Sequence, residues 1–124
     1  MHYAILCYNR EAAIGTTWTK ESEAAVMAEL AVIQKKLTTE GTLVSSARLD
    51  TTRTATTLQK TPVEQLVLDG PFAETKEQLL GFYIVECASK EAALAIAREL
   101  SVAVPVGSYE IRPLRGFSPD ERVK

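Results

Sequence analysis

At 124 residues the chain is long enough for one domain to bury about two-thirds of the surface its unfolded form would expose. Its 46% hydrophobic and 24% charged residues exclude collagen-like, disordered and disulfide-scaffold classes. A formal charge of -2, with Lys and Arg scattered along the chain, excludes the dense basic footprint of a nucleic-acid module. No window approaches the ~20 apolar residues of a membrane span, and the apolar start is too short for a signal segment, so a cytoplasmic protein is expected.

Residues 2–8 read as a strand, Tyr3, Ile5 and Cys7 alternating with Ala4, Leu6 and Tyr8, so that both faces are apolar. Residues 9–17, with Gly15, form a loop before a helix that Thr19 can cap and Trp18 can staple. From residue 20 to 40, Val26, Leu30, Ile33 and Leu37 make one helical stripe, Glu21 and Glu23 suit the positive end, and Gly41 suits the C-cap. Residues 43–49 alternate as a second strand. Residues 53–59 and 65–68 are strand-like runs around Pro62 that can pair as a hairpin.

Residues 80–87 are the most apolar strand, with Leu80, Phe82 and Ile84 on one face and Tyr83, Val85 and Cys87 on the other. Ser89 can cap a second helix carrying Leu94, Ile96, Ala97 and Leu100, and residues 109–114 close the series as a last strand. The order β-α-β, hairpin insert, β-α-β predicts an α+β, ferredoxin-like antiparallel sheet with both helices on one face. One domain spans residues 1–116, and residues 117–124 form a short charged tail. Two helices cover only one face of an apolar sheet, so the second face is expected to pack on a two-fold partner's sheet, making a homodimer.

The run Asp69-Gly70-Pro71-Phe72-Ala73-Glu74-Thr75-Lys76-Glu77-Gln78-Leu79, followed by Gly81-Phe82-Tyr83, resembles the YCII-related family, in particular its DGPF-motif branch. The first strand, the helix after Thr19, Ala55-Thr56-Thr57 and the ending Gly107-Ser108-Tyr109-Glu110-Ile111-Arg112-Pro113 extend the likeness across nearly the whole chain. The resemblance implies a dimeric α/β barrel built from ferredoxin-like subunits. It also implies a largely uncharacterised bacterial family, often encoded beside extracytoplasmic-function sigma factors, with a His-Asp pair proposed as catalytic in the YCII branch. Of that pair only Asp69 has a matching motif position here, because the single histidine, His2, stands at the start of the first strand.

Asp69 follows an apolar strand and precedes Gly70-Pro71. Its carboxylate can cap the next turn, or it can serve as a general base or ligand acceptor in a cleft lined by Tyr8 or Tyr83. Arg48 and Arg112 lie in predicted strands, a costly place for a cation unless it is paired or lines a pocket, so each is a candidate for gripping a carboxylate or phosphate. An ion pair with Glu86 or Glu110 is the alternative. Glu74, Lys76 and Glu77 read either as a solvated turn or as a cation offered to an anionic substrate. Cys7 and Cys87, without C-x-x-C spacing, read as buried reduced thiols, a cross-strand disulfide being the alternative.

No metal is expected from a lone histidine, and no phosphate-binding or dinucleotide glycine pattern calls for a cofactor. Two functions remain. One is a small-molecule-binding or enzymatic homodimer acting on a small polar or aromatic metabolite near the Asp69-Gly70-Pro71-Phe72 motif. The other is a non-catalytic accessory or regulatory protein linked to sigma-factor signalling.

Overall fold

The computed structural model describes residues 1–11, 20–104 and 106–118. The expectations at Gly15, Trp18 and Thr19, and for most of the tail, lie outside the described residues. The described chain runs β1 (His2–Asn9), α1 (Lys20–Thr39), β2 (Leu43–Arg48), a 3₁₀ turn (Thr52–Thr54), β3 (Thr56–Lys60), β4 (Gln65–Asp69), β5 (Gln78–Glu86), α2 (Lys90–Ala103) and β6 (Ser108–Pro113).

Local chemistry sets the ends of the helices. Gly41, at a φ of 76°, closes α1 with paired bonds: its own amide donates to the Thr38 carbonyl, and the Thr42 amide donates to the Leu37 carbonyl. That reciprocal pattern satisfies carbonyls the last turn would otherwise leave open. At the start of α2 the Ser89 hydroxyl accepts from the Ala92 amide at 3.2 Å, a cap whose loss costs about 1 kcal/mol.

Four strands pair antiparallel in the order β2-β5-β1-β6, while β3 and β4 form a separate two-stranded sheet. This is the ferredoxin-like α+β arrangement, with the hairpin inserted between β2 and β5. The Thr-rich run is shorter as a strand than its composition suggests. Its first part turns as a 3₁₀ element because the Glu11 carboxylate accepts the Thr52 amide at 2.9 Å and the Thr54 and Ala55 amides bond back to Thr51 and Thr52.

The core lies between the sheet and the helices. Ile5, Val85 and Leu100 are fully enclosed, with Tyr3, Leu37, Ala93, Ile96 and Ala97 around them. In β1, β5 and β6 the register sets Ile5 opposite Tyr83 and Ile111 on the helix side, and Ala4 opposite Ile84 and Arg112 on the other. On that second face Ala4 and Ile84 are buried and Leu6 and Phe82 half-buried, so the single chain covers it only in part.

The expected alternation in β5 holds from Gly81 onward and breaks before it. Cys7 stands opposite Gly81, yet Tyr8 stands opposite Leu79, so β5 holds one extra residue, Leu80, at a bulge. Leu79 rather than Leu80 therefore takes the register position across from Tyr8.

Candidate functional site

The stripe on α1 is unevenly buried. Leu37 is 2% exposed, whereas Val26, Met27 and Leu30 toward the N-terminal half are only partly covered. Beneath that half lies a cavity of about 260 Å³ between α1 and the sheet. Val26, Met27 and Leu30 form its roof, and Leu100 and Val104 close the side toward α2.

The floor is opened by a missing side chain. Gly81 faces the cavity beside the bulge, where a Cβ would collide with the Ala47 carbonyl oxygen and come within 3.2 Å of the Arg48 Cα. Glycine alone allows β2 and β5 to approach this closely. Bulges next to sites commonly re-aim neighbouring side chains, and Leu80 is among the lining residues.

Polar groups are few and specific. The Gln34 amide donates to the Tyr83 hydroxyl oxygen at 3.1 Å, which leaves the phenolic proton free for another acceptor. Arg48 stands at the rim, its guanidinium 3.1 Å from the Glu23 carboxylate and 3.2 Å from the Met27 sulfur. This pair is half-exposed, so Arg48 is held loosely rather than locked. The role of Asn9 is structural, since its side chain donates to the Val106 carbonyl and accepts from the Arg10 amide, fixing the cavity's edge.

Burial sets the protonation of the acids here. It pushes the Cys7 thiol up to about 11 and Tyr109 up to about 12, and Tyr83 is raised mainly by the same cause, against a smaller opposing effect of the Gln34 bond. All three keep their protons at neutral pH. The described lining residues include no Asp, Glu or His. The arrangement can therefore donate hydrogen bonds and hold negative charge, and its described residues offer no carboxylate or imidazole base.

Of the residues singled out in the sequence, Arg48, Tyr8 and Tyr83 line the cavity. Arg112 and the motif residues do not. Arg112 is exposed on β6 and pairs with Glu110 at 2.9 Å, the alternative the sequence left open for it. Asp69 sits exposed at the end of β4, where its carboxylate makes no hydrogen bond or ion pair among the described residues. The hairpin's base is closed instead by Gly70, at a φ of 100°, whose amide donates to Ala55 at 2.7 Å and whose carbonyl accepts from the Thr57 hydroxyl at 2.8 Å. Phe72, Glu74 and Lys76 are exposed beyond it. His2 lies away from the cavity, 3.4 Å from Glu86 and stacked on Phe117.

Sequence reasoning passed over Gln34, Met27 and Tyr109. Gln34 carries a legible signal, since it continues the four-residue spacing of Val26 and Leu30 and so places a polar group on the apolar stripe. No group of His, Cys, Asp and Glu among the described residues could hold a metal, and no described helix is long and apolar enough to cross a membrane.

Comparison with known proteins places these features in context. The model of the YCII-related domain matches residues 1–118. An uncharacterized protein of Rhizobium meliloti is 51% identical over 122 residues, covering 98% of both chains. Among solved structures, 5-chloro-2-hydroxyhydroquinone dehydrochlorinase of Burkholderia phenoliruptrix, in complex with 2,5-dihydroxybenzoquinone, superposes with a TM-score of 0.49 at 12% identity, covering 98% of this chain and 100% of that one.

Proposed function

Because this chain belongs to the YCII-related domain family, whose fold presents a cavity between helix and sheet here, we propose that it is a small-molecule-binding homodimer with its ligand under α1. The observation that carries this reading is the convergence of the Tyr83 hydroxyl and the Arg48 guanidinium on one mostly apolar cavity. Ligand sites are typically concave and apolar with a few placed polar groups, and a volume near 260 Å³ suits a single ring or a short branched acid.

The donors select the ligand's head. Tyr83 offers a proton, Arg48 offers charge, and no described lining carboxylate opposes an anion, so a compact apolar body bearing a carboxylate, phenolate or carbonyl oxygen fits best. If the bound molecule reacts, Tyr83 stabilises developing negative charge on its oxygen, and no described lining residue supplies a carboxylate or imidazole base.

The homodimer reading is supported by the second sheet face, where Leu6 and Phe82 are only half-buried beside the buried Ala4 and Ile84. A monomeric mass by light scattering at micromolar concentration overturns that part. The ligand reading is tested by thermal shift against a panel of ring-sized carboxylic acids and their neutral amides. Binding to the folded state raises Tm by mass action. Acids that stabilise the wild type and fail to stabilise Tyr83→Phe or Arg48→Ala support the site. Stabilisation kept in both variants places the ligand elsewhere.

A further inference from the structure

The β3–β4 hairpin is anchored at its base and uncovered along its length. The Glu11 carboxylate holds Thr52 and the Gly70 amide bonds Ala55, yet the two strands form a sheet of their own. Leu58 is 60% exposed, Val67 70% and Phe72 78%, and Val63 at the tip is 93% exposed. An isolated two-stranded ribbon is marginal in water, and a flat apolar one is an association site unless something covers it.

The register states what fits. Leu58 and Val67 stand directly opposite each other at the ribbon's centre, and the same face carries Thr56 and Asp69 at the base and Lys60 and Gln65 toward the tip. Lys60 and Asp69 thus lie at opposite ends of one face, and neither is in an ion pair among the described residues. This pattern complements itself under a two-fold rotation. An antiparallel second copy sets Leu58 and Val67 against their equivalents, Lys60 against the second copy's Asp69, and the Val63 tip toward the region of Phe72.

We propose that the β3–β4 hairpins of two copies of this chain pack face to face, antiparallel, about a two-fold axis at Leu58 and Val67. A closed isologous contact of this kind buries both apolar centres and pairs Lys60 with Asp69 twice over. It is a surface distinct from the second face of the main sheet; a wild-type monomer would overturn both contacts, and the hairpin substitutions below, which leave that face untouched, tell the two apart.

Sedimentation velocity over a concentration series tests it, with thermal unfolding of each variant confirming an intact fold. Val67→Lys should raise the dissociation constant of the self-association at least about tenfold, while Val32→Lys, on the exposed side of α1, leaves it unchanged. Lys60→Asp and Asp69→Lys should each weaken association, and the double reversal should restore most of it, because the two positions lie at opposite ends of one ribbon and meet only across copies. A wild-type monomer, a Val67→Lys variant that associates like the wild type, or single reversals that the double fails to rescue would each overturn the proposal.

Discussion

The Gln34 side-chain amide lies 3.1 Å from the Tyr83 hydroxyl and donates to its oxygen, so a residue of α1 decides which way a phenol on β5 offers its proton. That bond ties the roof of the cavity to its floor. Tyr83→Phe removes the donor and strands the Gln34 amide, half-buried, which should cost about 1 kcal/mol in urea unfolding and at least about tenfold in affinity for any acid that binds. Gln34→Leu, which leaves the phenol in place, should weaken binding less.

Arg48 is held by Glu23 at a half-exposed rim, where an ion pair contributes little to stability. Arg48→Ala should therefore change unfolding free energy by less than about 1 kcal/mol while removing the preference for acids over neutral amides. Glu23→Gln frees the guanidinium and should tighten acid binding. Isothermal titration of both variants with the same acid checks the pair.

Gly81 permits the close approach of β2 and β5 over the cavity floor. Gly81→Ala drives a methyl into the Ala47 carbonyl, so the strands must part, and a loss of about 1–3 kcal/mol is expected in chemical denaturation. The same variant should shrink or misshape the cavity.

Alkaline pH should unfold the protein more readily. Cys7 rises from 9.0 to about 11 and Tyr109 from 10.0 to about 12 on burial, so the folded state holds these protons more tightly than the unfolded one. Where the native state binds more protons, stability falls as pH rises. The contribution is fully present below pH 9 and is lost progressively from there through pH 12. A urea midpoint series from about pH 7 to about 11.5 should be flat at first and then decline, and Cys7 should react slowly with thiol reagents at about pH 8.

Much of the fold was legible because its signals are local. Gly41 and Ser89 close and open their helices with their own hydrogen bonds, and the strand-like runs on either side of Pro62 mark the hairpin without reference to anything distant. The bulge at Leu80 was not legible, since it exists only in the pairing of β5 with β1 and moves a side chain from one face to the other. The cavity was hidden for a similar reason: it depends on how far α1 stands from Gly81, a glycine distant from it in the chain.

The candidate residues divide along the same line. Arg48 was found because a cation in a strand needs a partner or an opening, and it has both. Asp69 drew attention through its motif, but the motif stands at the base of the hairpin, where Gly70 rather than the carboxylate closes the turn. Gln34 was readable on the helical stripe and was overlooked among apolar neighbours.

The central claim is that a compact acid binds under α1 against Tyr83 and Arg48. Its most direct test is an amide NMR titration of the wild-type chain with whichever acid of the panel raises Tm most. Perturbations concentrated at Leu30, Gln34, Arg48, Gly81 and Tyr83, and lost in Tyr83→Phe, are the predicted result. Perturbations confined to the second sheet face or to the hairpin, with those five residues unmoved, would contradict it.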